Sequence, residues 1–264
     1  MKIIIINQKG GVGKTTTTVN LSYGLAGSGK KTLIIDLDPQ AHSSVAFSPE
    51  LPKKETVAEL FNNKEVDIKK LIRPAIVEIE DGKLTTIDNL FIIPSNIHLA
   101  VCSETVLSRV HREKILDKAL KQVKNEYDFV VIDCPPTLGV LTVNAIYTAD
   151  MILIPTSYGK YSLDGIADLF DSIKGVKETD KFNYRILRTI KDSRAKRTNI
   201  PVEEALSKFK NNLFETIIRK NEAINQSQFY NLPVFLCDNN STGSQDYLSL
   251  TREILEYEKN STDN

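Results

Sequence analysis

The chain has 264 residues, and its 34 Lys and Arg balance 34 Asp and Glu for a formal net charge of zero. With 41% hydrophobic and 26% charged residues it is ordinary globular material, which excludes an intrinsically disordered chain and leaves nucleic-acid binding to a local basic patch. No apolar run reaches the roughly 18–20 residues of a membrane span, and Cys102, Cys134 and Cys237 are too scattered for a zinc site or a disulfide framework.

The opening residues 2–7 predict a strand, too short in its apolar part for a secretory signal, so a soluble cytoplasmic protein is expected. A glycine turn leads into a helix over 14–26, then a strand over 32–36. Residues 48–89 are less regular, with 83–88 reading as a turn or a short edge strand. A strand over 90–94 follows, then one or two helices within 101–126, a strand over 128–133 and a helix over 139–149. Residues 151–155 and 184–190 read as strands and 163–177 as a helix. A further helix is expected over 201–211, with Pro201 in the first turn where its missing amide hydrogen costs nothing. Residues 233–237 read as a last strand and 244–259 as a last helix. Most of the strands are Ile, Val and Leu with little alternation, as in strands covered on both faces. The alternation of strand and helix predicts an α/β fold, a doubly wound and mainly parallel sheet with helices on both faces, over a single domain of residues 1–264.

The strongest signal is Gln8-Lys9-Gly10-Gly11-Val12-Gly13-Lys14-Thr15-Thr16, directly after the first strand. The strict phosphate-loop pattern G-x-x-x-x-G-K-[ST] would put Gly at position 8, where this chain has Gln. The physics survives: three glycines let the backbone curl and turn its amides on phosphate oxygens, and the next helix aims its positive end at the same anion. Lys14 is expected to neutralise the β- and γ-phosphates, Thr15 to hold Mg²⁺, and Thr16 to reach an α-phosphate oxygen. A nucleotide with Mg²⁺ is therefore the expected ligand of this loop.

Two acidic motifs complete the chemistry. In Ile35-Asp36-Leu37-Asp38-Pro39-Gln40 two carboxylates at i and i+2 on a strand end face one side, which suits orienting water and supporting the Mg²⁺ shell. In Val130-Val131-Ile132-Asp133-Cys134-Pro135 an apolar strand delivers Asp133 at its end, placed to hold Mg²⁺ through water. Cys134 reads as a small buried neighbour, since no His lies near it in sequence.

Lys9 beside Gly-Gly gives K-G-G-x-G-K-[ST], and this loop resembles the deviant phosphate loop of the ParA/MinD/Soj ATPase superfamily. Asp38-Pro39-Gln40, Leu141-Thr142-Val143-Asn144-Ala145, Leu163-Asp164-Gly165, Asp192-Ser193-Arg194 and Leu232-Pro233-Val234 extend the resemblance to ParA/Soj partition ATPases over essentially the whole chain, in the short form without an N-terminal helix-turn-helix. The resemblance implies an ATPase with slow intrinsic turnover that closes into an ATP-dependent homodimer, with Lys9 crossing to the partner's nucleotide and Asp38 organising the attacking water. It also implies non-specific DNA binding, a nucleoid location, and release when a ParB-like or adaptor protein stimulates hydrolysis, so that a plasmid, a chromosome locus or a protein organelle is positioned.

DNA binding needs cations. The run 185–197 holds six basic residues and one acid, and Arg194, at the family's Asp-x-Arg position, is nominated with Lys196 and Arg197. A solvated loop balancing acids elsewhere is the bland alternative. Two departures stand out. The family's I-P-R-N-V-R reads Ile218-Arg219-Lys220-Asn221-Glu222-Ala223, so Arg219 and Lys220 are candidates to replace the missing arginine; and the Gln-x-Glu after the fifth strand reads Ser157-Tyr158-Gly159. A MinD-like membrane-associated ATPase and a nucleotide-switched DNA-binding regulator are the competing readings. The first would need a basic amphipathic C-terminal helix, whereas residues 252–264 are polar and net acidic.

Overall fold

A computed structural model describes residues 1–63, 65–79, 82–159 and 164–262. In chain order the elements are β1 Lys2–Ile5, α1 Lys14–Gly27, β2 Thr32–Asp36, α2 His42–Phe47, α3 Ala58–Asn62, β3 Arg73–Ile79, β4 Lys83–Ile93, α4 His98–Thr105, α5 Ile115–Leu120 and β5 Phe129–Asp133. Then come α6 Val140–Thr148, β6 Met151–Ser157, α7 Asp164–Lys177, β7 Tyr184–Lys191, α8 Lys196–Leu206, β8 Leu213–Arg219, α9 Glu222–Phe229, α10 Val234–Cys237 and α11 Thr242–Thr262. The strands form one sheet in the order β3-β4-β2-β5-β1-β6-β7-β8, parallel throughout except for the β3–β4 pair.

The uninterrupted apolar strands have a direct consequence. Ile4 faces one side of the sheet with Val130, Ile132, Ile152 and Ile154, while Ile3 and Ile5 face the other with Phe129, Val131, Met151 and Leu153. Both sides are buried, so alternation would have left polar atoms in a core. One side is covered by α3, α5, α6, α7 and α8; α1 and α11 cover the other. The carboxyl ends of the parallel strands lie along one edge, and β1 sits where the winding direction reverses, the place where such sheets take ligands.

α1 and α11 approach closely at Gly24. A methyl group there would overlap the Thr251 hydroxyl, which is fixed by donating to the Tyr247 carbonyl at 2.8 Å. Gly24→Ala is therefore expected to destabilise the protein by about 1–2 kcal/mol in a urea titration, overpacking outweighing the gain in helix propensity. An unchanged midpoint would show that the helices yield at no cost.

The sequence expectations need four corrections. Residues 233–237 form no strand; Val234–Cys237 is a helical turn pinned by the Val234 amide donating to Asn20 Oδ1 at 2.7 Å, with Phe235 stacked on Tyr23. The eighth strand is instead β8, which pairs parallel with β7 at the edge of the sheet. Helix α8 starts at Lys196, so Pro201 lies inside it rather than in its first turn. The proline removes one amide donor at the carbonyl of Arg197, an exposed residue where water can substitute. Finally, 83–88 is the outer half of the long strand β4. Asn89, with φ +59°, lies at the bulge where the register with β3 shifts; beyond it Phe91 and Ile92 still pair with β3 on one side while residues 90–93 pair with β2 on the other. Within 101–126 the helix breaks at His111, with φ +57°; Leu163 lies outside the described residues.

Candidate nucleotide site and cationic surface

The loop between β1 and α1 is held from both sides. Asn7 Oδ1 accepts the Lys9 amide at 2.9 Å while its Nδ2 donates to the Pro155 carbonyl at 2.8 Å, and Thr189 Oγ1 of β7 donates to the Val12 carbonyl at 2.8 Å. Gly11 and Gly13 adopt φ +71° and +88°, left-handed values that a side chain would strain. No side chain caps α1 and no acid stands in its first turn, so its positive end keeps amides for an anion. Gly10 is exposed on the rim, where an added methyl would meet no atom within 4 Å.

Lys14 is buried at 8% exposure, and its Nζ donates to the Lys9 carbonyl at 3.1 Å, inside the curl of the loop. Burial lowers its pKa, opposed by Asp133 and then Asp38, which places both carboxylates close to the ammonium group. Asp133 is buried, and neither of its carboxylate oxygens has a hydrogen-bond partner. Burial and then repulsion from Asp36 raise its pKa, while the neighbouring Thr15 and Ser43 hydroxyls favour the charged form. An orphaned buried carboxylate beside Lys14 and Thr15 is incomplete alone and fits a hydrated Mg²⁺. Among the described residues no three His, Cys, Asp or Glu are grouped to hold a metal unaided, so phosphate oxygens and water would supply the remaining ligands. When bound, the ion neutralises charge on the phosphates.

The paired-acid expectation needs correcting. β2 ends at Asp36, so the two-residue periodicity does not carry to Asp38. Asp36 turns inward, accepting the Asp38 amide at 2.9 Å, the Ser44 amide at 2.9 Å and the Ser44 hydroxyl at 2.6 Å, and Ser44 Oγ in turn accepts the Ser95 amide at 2.8 Å. It anchors α2 and is not available to water. Asp38 is half-buried, its Oδ1 accepting only the nearby Gln40 amide at 2.9 Å among the contacts described. The Cys134 thiol is buried and its pKa is pushed up by burial and by Asp133, the opposite of a nucleophile.

Sequence reasoning passed over Ser43, whose buried hydroxyl lacks a hydrogen bond beside Asp133, and Gln228, whose Nε2 donates to Thr16 Oγ1 at 2.7 Å. A strand end followed by a Ser pair was the available signal for the first. Nothing local announces the second.

The cationic run divides in two. Arg185 donates to the Asn211 carbonyl and lies over the Tyr257 ring, and Arg188 and Lys191 both pair with Glu203, which also accepts from Tyr158. These charges are consumed inside the fold. Arg194 is 86% exposed and forks onto its own neighbour Asp192, whereas Lys196 and Arg197 are exposed with no acid beside them in the first turn of α8. Cations at a helix N-terminus oppose its dipole, so these two are not placed for helix stability. Arg219 is committed to Asp246, which accepts from Nε and Nη2 and from the Arg219 amide, so it does not stand free as the replacement arginine. Lys220 is exposed and near enough to Asp192 to lower that carboxyl's pKa, bringing it to the Arg194 surface.

A doubly wound parallel sheet with this loop at its reversal point, a buried lysine and an orphaned aspartate defines a P-loop nucleoside triphosphatase. Residues 1–188 match the family model described as an AAA domain. The chain is similar to the sporulation initiation inhibitor protein Soj of Bacillus subtilis, at 34% identity over 96% of this chain and 97% of that one. It resembles the structure of a plasmid partition protein from Borrelia burgdorferi bound to AMPPNP, with TM-score 0.79 and 26% identity over 97% and 98% of the two chains. It also resembles cobyrinic acid a,c-diamide synthase from Mycobacterium smegmatis with an ATP analogue and magnesium, with TM-score 0.76 and 25% identity over 98% and 95%. The chain belongs to the ParA/Soj family of ATPases. It is a ParA-like positioning ATPase that uses ATP with Mg²⁺.

Proposed function

We propose that residues 1–264 form a single ATPase domain that dimerises on ATP, binds DNA without sequence preference in that state, and leaves DNA when a ParB-like or adaptor partner stimulates hydrolysis. The cycle would position a plasmid, chromosome locus or protein organelle over the nucleoid in the cytoplasm. In this reading the amides of residues 10–16 and Lys14 bind phosphates, Thr15 and Asp133 hold Mg²⁺, Asp38 orients water, and Lys9 reaches the nucleotide of the second copy.

The observation that carries the DNA reading is the exposed pair Lys196 and Arg197 on α8, beside Arg194 and Lys220. The strand leading into them lends Thr189 to the phosphate loop, so nucleotide and cations share one rigid support. Sequence-independent duplex binding needs such a cluster and no base-reading element.

The double variant Lys196→Glu/Arg197→Glu is expected to lose at least about tenfold in DNA affinity with ATP, and to flatten the salt dependence by roughly two counterions, while still dimerising. Arg219→Ala should instead lower stability by about 2 kcal/mol, because Asp246 is left buried without its partner, and should change DNA affinity little. Unchanged DNA retention in the double variant removes this surface from the reading.

A membrane-associated role is less well supported. No helix among the described residues is long and apolar enough to cross a membrane, and α11 spends its apolar side, Tyr247, Leu250 and Ile254, on the core. That leaves no free apolar face for an interfacial anchor there.

A further inference from the structure

A second basic cluster lies apart from the run 185–197. Between Arg109 and Lys124 the chain has six Lys and Arg against two acids, Glu113 and Asp117. The helix breaks at His111 and restarts as α5, and one buried amide fixes the break: Asn144 of α6 accepts the Leu116 amide at 3.0 Å through Oδ1 and donates through Nδ2 to the Arg112 carbonyl at 2.7 Å. Beyond α5, Gln122 ties the chain to the segment after α3. Its Oε1 accepts the Ile68 amide at 3.1 Å and its Nε2 donates to the Val66 carbonyl at 3.1 Å.

Between these two ties α3, α5 and the end of α6 leave a cavity of about 590 Å³, within the size range of small-molecule sites. Leu60, Val66, Ile115 and Ala119 give it apolar walls, and half-buried Tyr147 lines it with Lys114 Nζ 5.5 Å from the ring centroid. Arg109, Lys114, Lys118 and Lys121 also line it. Among the described residues the one lining carboxylate is Asp117, which Lys121 holds at 2.8 Å. Glu113, outside the lining, stands 4.0 Å from Lys114 and 3.7 Å from His111. Arg109 is half-buried, and neither it nor Lys118 has an ion pair or a side-chain hydrogen bond among the described residues. A half-buried guanidinium without an acid keeps its whole fork of donors for an incoming anion.

We propose that this cavity binds a small organic anion with an apolar or aromatic body, its acid group met by the Arg109 and Lys118 charges and its body covering the apolar walls. Asn144 and Gln122 fix both sides of the cavity before a ligand arrives, so little ordering opposes binding. A DNA duplex carries its phosphates on a convex surface and has no use for apolar walls, which makes it the poorer occupant. No residue of the phosphate loop or of its acidic motifs lines the cavity, so the site does not rest on the nucleotide reading.

Anilinonaphthalene sulfonate, an acid group on an aromatic body whose fluorescence rises in apolar surroundings, is the probe. It is expected to saturate one site per chain on the folded protein and to stay bound in saturating MgADP. Arg109→Gln/Lys118→Gln should weaken it at least about tenfold through the loss of two charge-assisted contacts. Val110→Glu, an acid at a lining position that is 79% exposed, should weaken it comparably with the urea midpoint unchanged. Unaltered probe affinity in either variant overturns the site, as does the absence of saturable binding. Displacement by MgADP would put the probe in the phosphate loop. Displacement by a short DNA duplex, or by inorganic sulfate at matched ionic strength, would reduce the cluster to a plain cationic surface. Either result overturns the pocket.

Discussion

Lys14→Ala is expected to abolish measurable nucleotide binding: in calorimetry with MgADP the affinity should fall at least about a hundredfold. The ammonium group is buried within the curl of the loop and donates to the Lys9 carbonyl, a contact that phosphate oxygens would take over. Charge-assisted hydrogen bonds of this kind are worth about 1.5–3 kcal/mol each, and the ammonium group can donate more than one of them to the β-phosphate of ADP, so about 3 kcal/mol or more is at stake. A second effect acts in the same direction. Asp133 and Asp38 both raise the pKa of Lys14, and by reciprocity its removal leaves Asp133 less able to ionise. A carboxyl kept neutral is a poor Mg²⁺ ligand. Retention of MgADP affinity within a few-fold would show that the loop amides do the binding and that the lysine is incidental.

Asp38→Ala should leave ATP binding nearly intact while hydrolysis falls about 10²–10⁴-fold, the usual range for losing a positioned base or water-orienting group. The carboxylate accepts the Gln40 amide of its own turn, so truncation is expected to cost under about 1 kcal/mol of stability. Binding and turnover would then separate cleanly. On the proposed cycle the variant accumulates as an ATP-bound dimer on DNA, seen by light scattering and by DNA retention with ATP but not ADP. Wild-type turnover in this variant would remove Asp38 from the chemistry, and attention would pass to Ser43, whose buried hydroxyl also faces Asp133. Asp36 is a poor substitute, because the Ser44 hydroxyl and two backbone amides already occupy its oxygens.

The fate of the cationic run shows how far charge counting reaches. Six basic residues in thirteen positions form an obvious cluster in the sequence, yet the fold spends three of them on internal partners: Arg185 on Asn211, and Arg188 and Lys191 on Glu203. Glu203 lies on the helix that follows, facing back over the strand, and no spacing rule predicts that it takes both. Arg219 gives the same lesson. It looked like a replacement for a missing arginine until Asp246, 27 residues away, proved to hold it.

What the sequence determined by itself is the chemistry whose geometry is local. Glycines at 11 and 13 meet the left-handed backbone that the phosphate loop requires, Lys14 and Thr15 follow within one helical turn, and an apolar strand ends on Asp133; a few dihedrals fix each of these. The apolar character of the strands likewise implied a sheet buried on both faces. What only the tertiary structure decided are the contacts that join distant segments: Thr189 to Val12 across 177 residues, Gln228 to Thr16 across 212, and the inward turn of Asp36 toward Ser44. The order of strands in the sheet sets these meetings. That order comes from burying all the apolar faces at once, a property of the whole chain that no short stretch of it encodes.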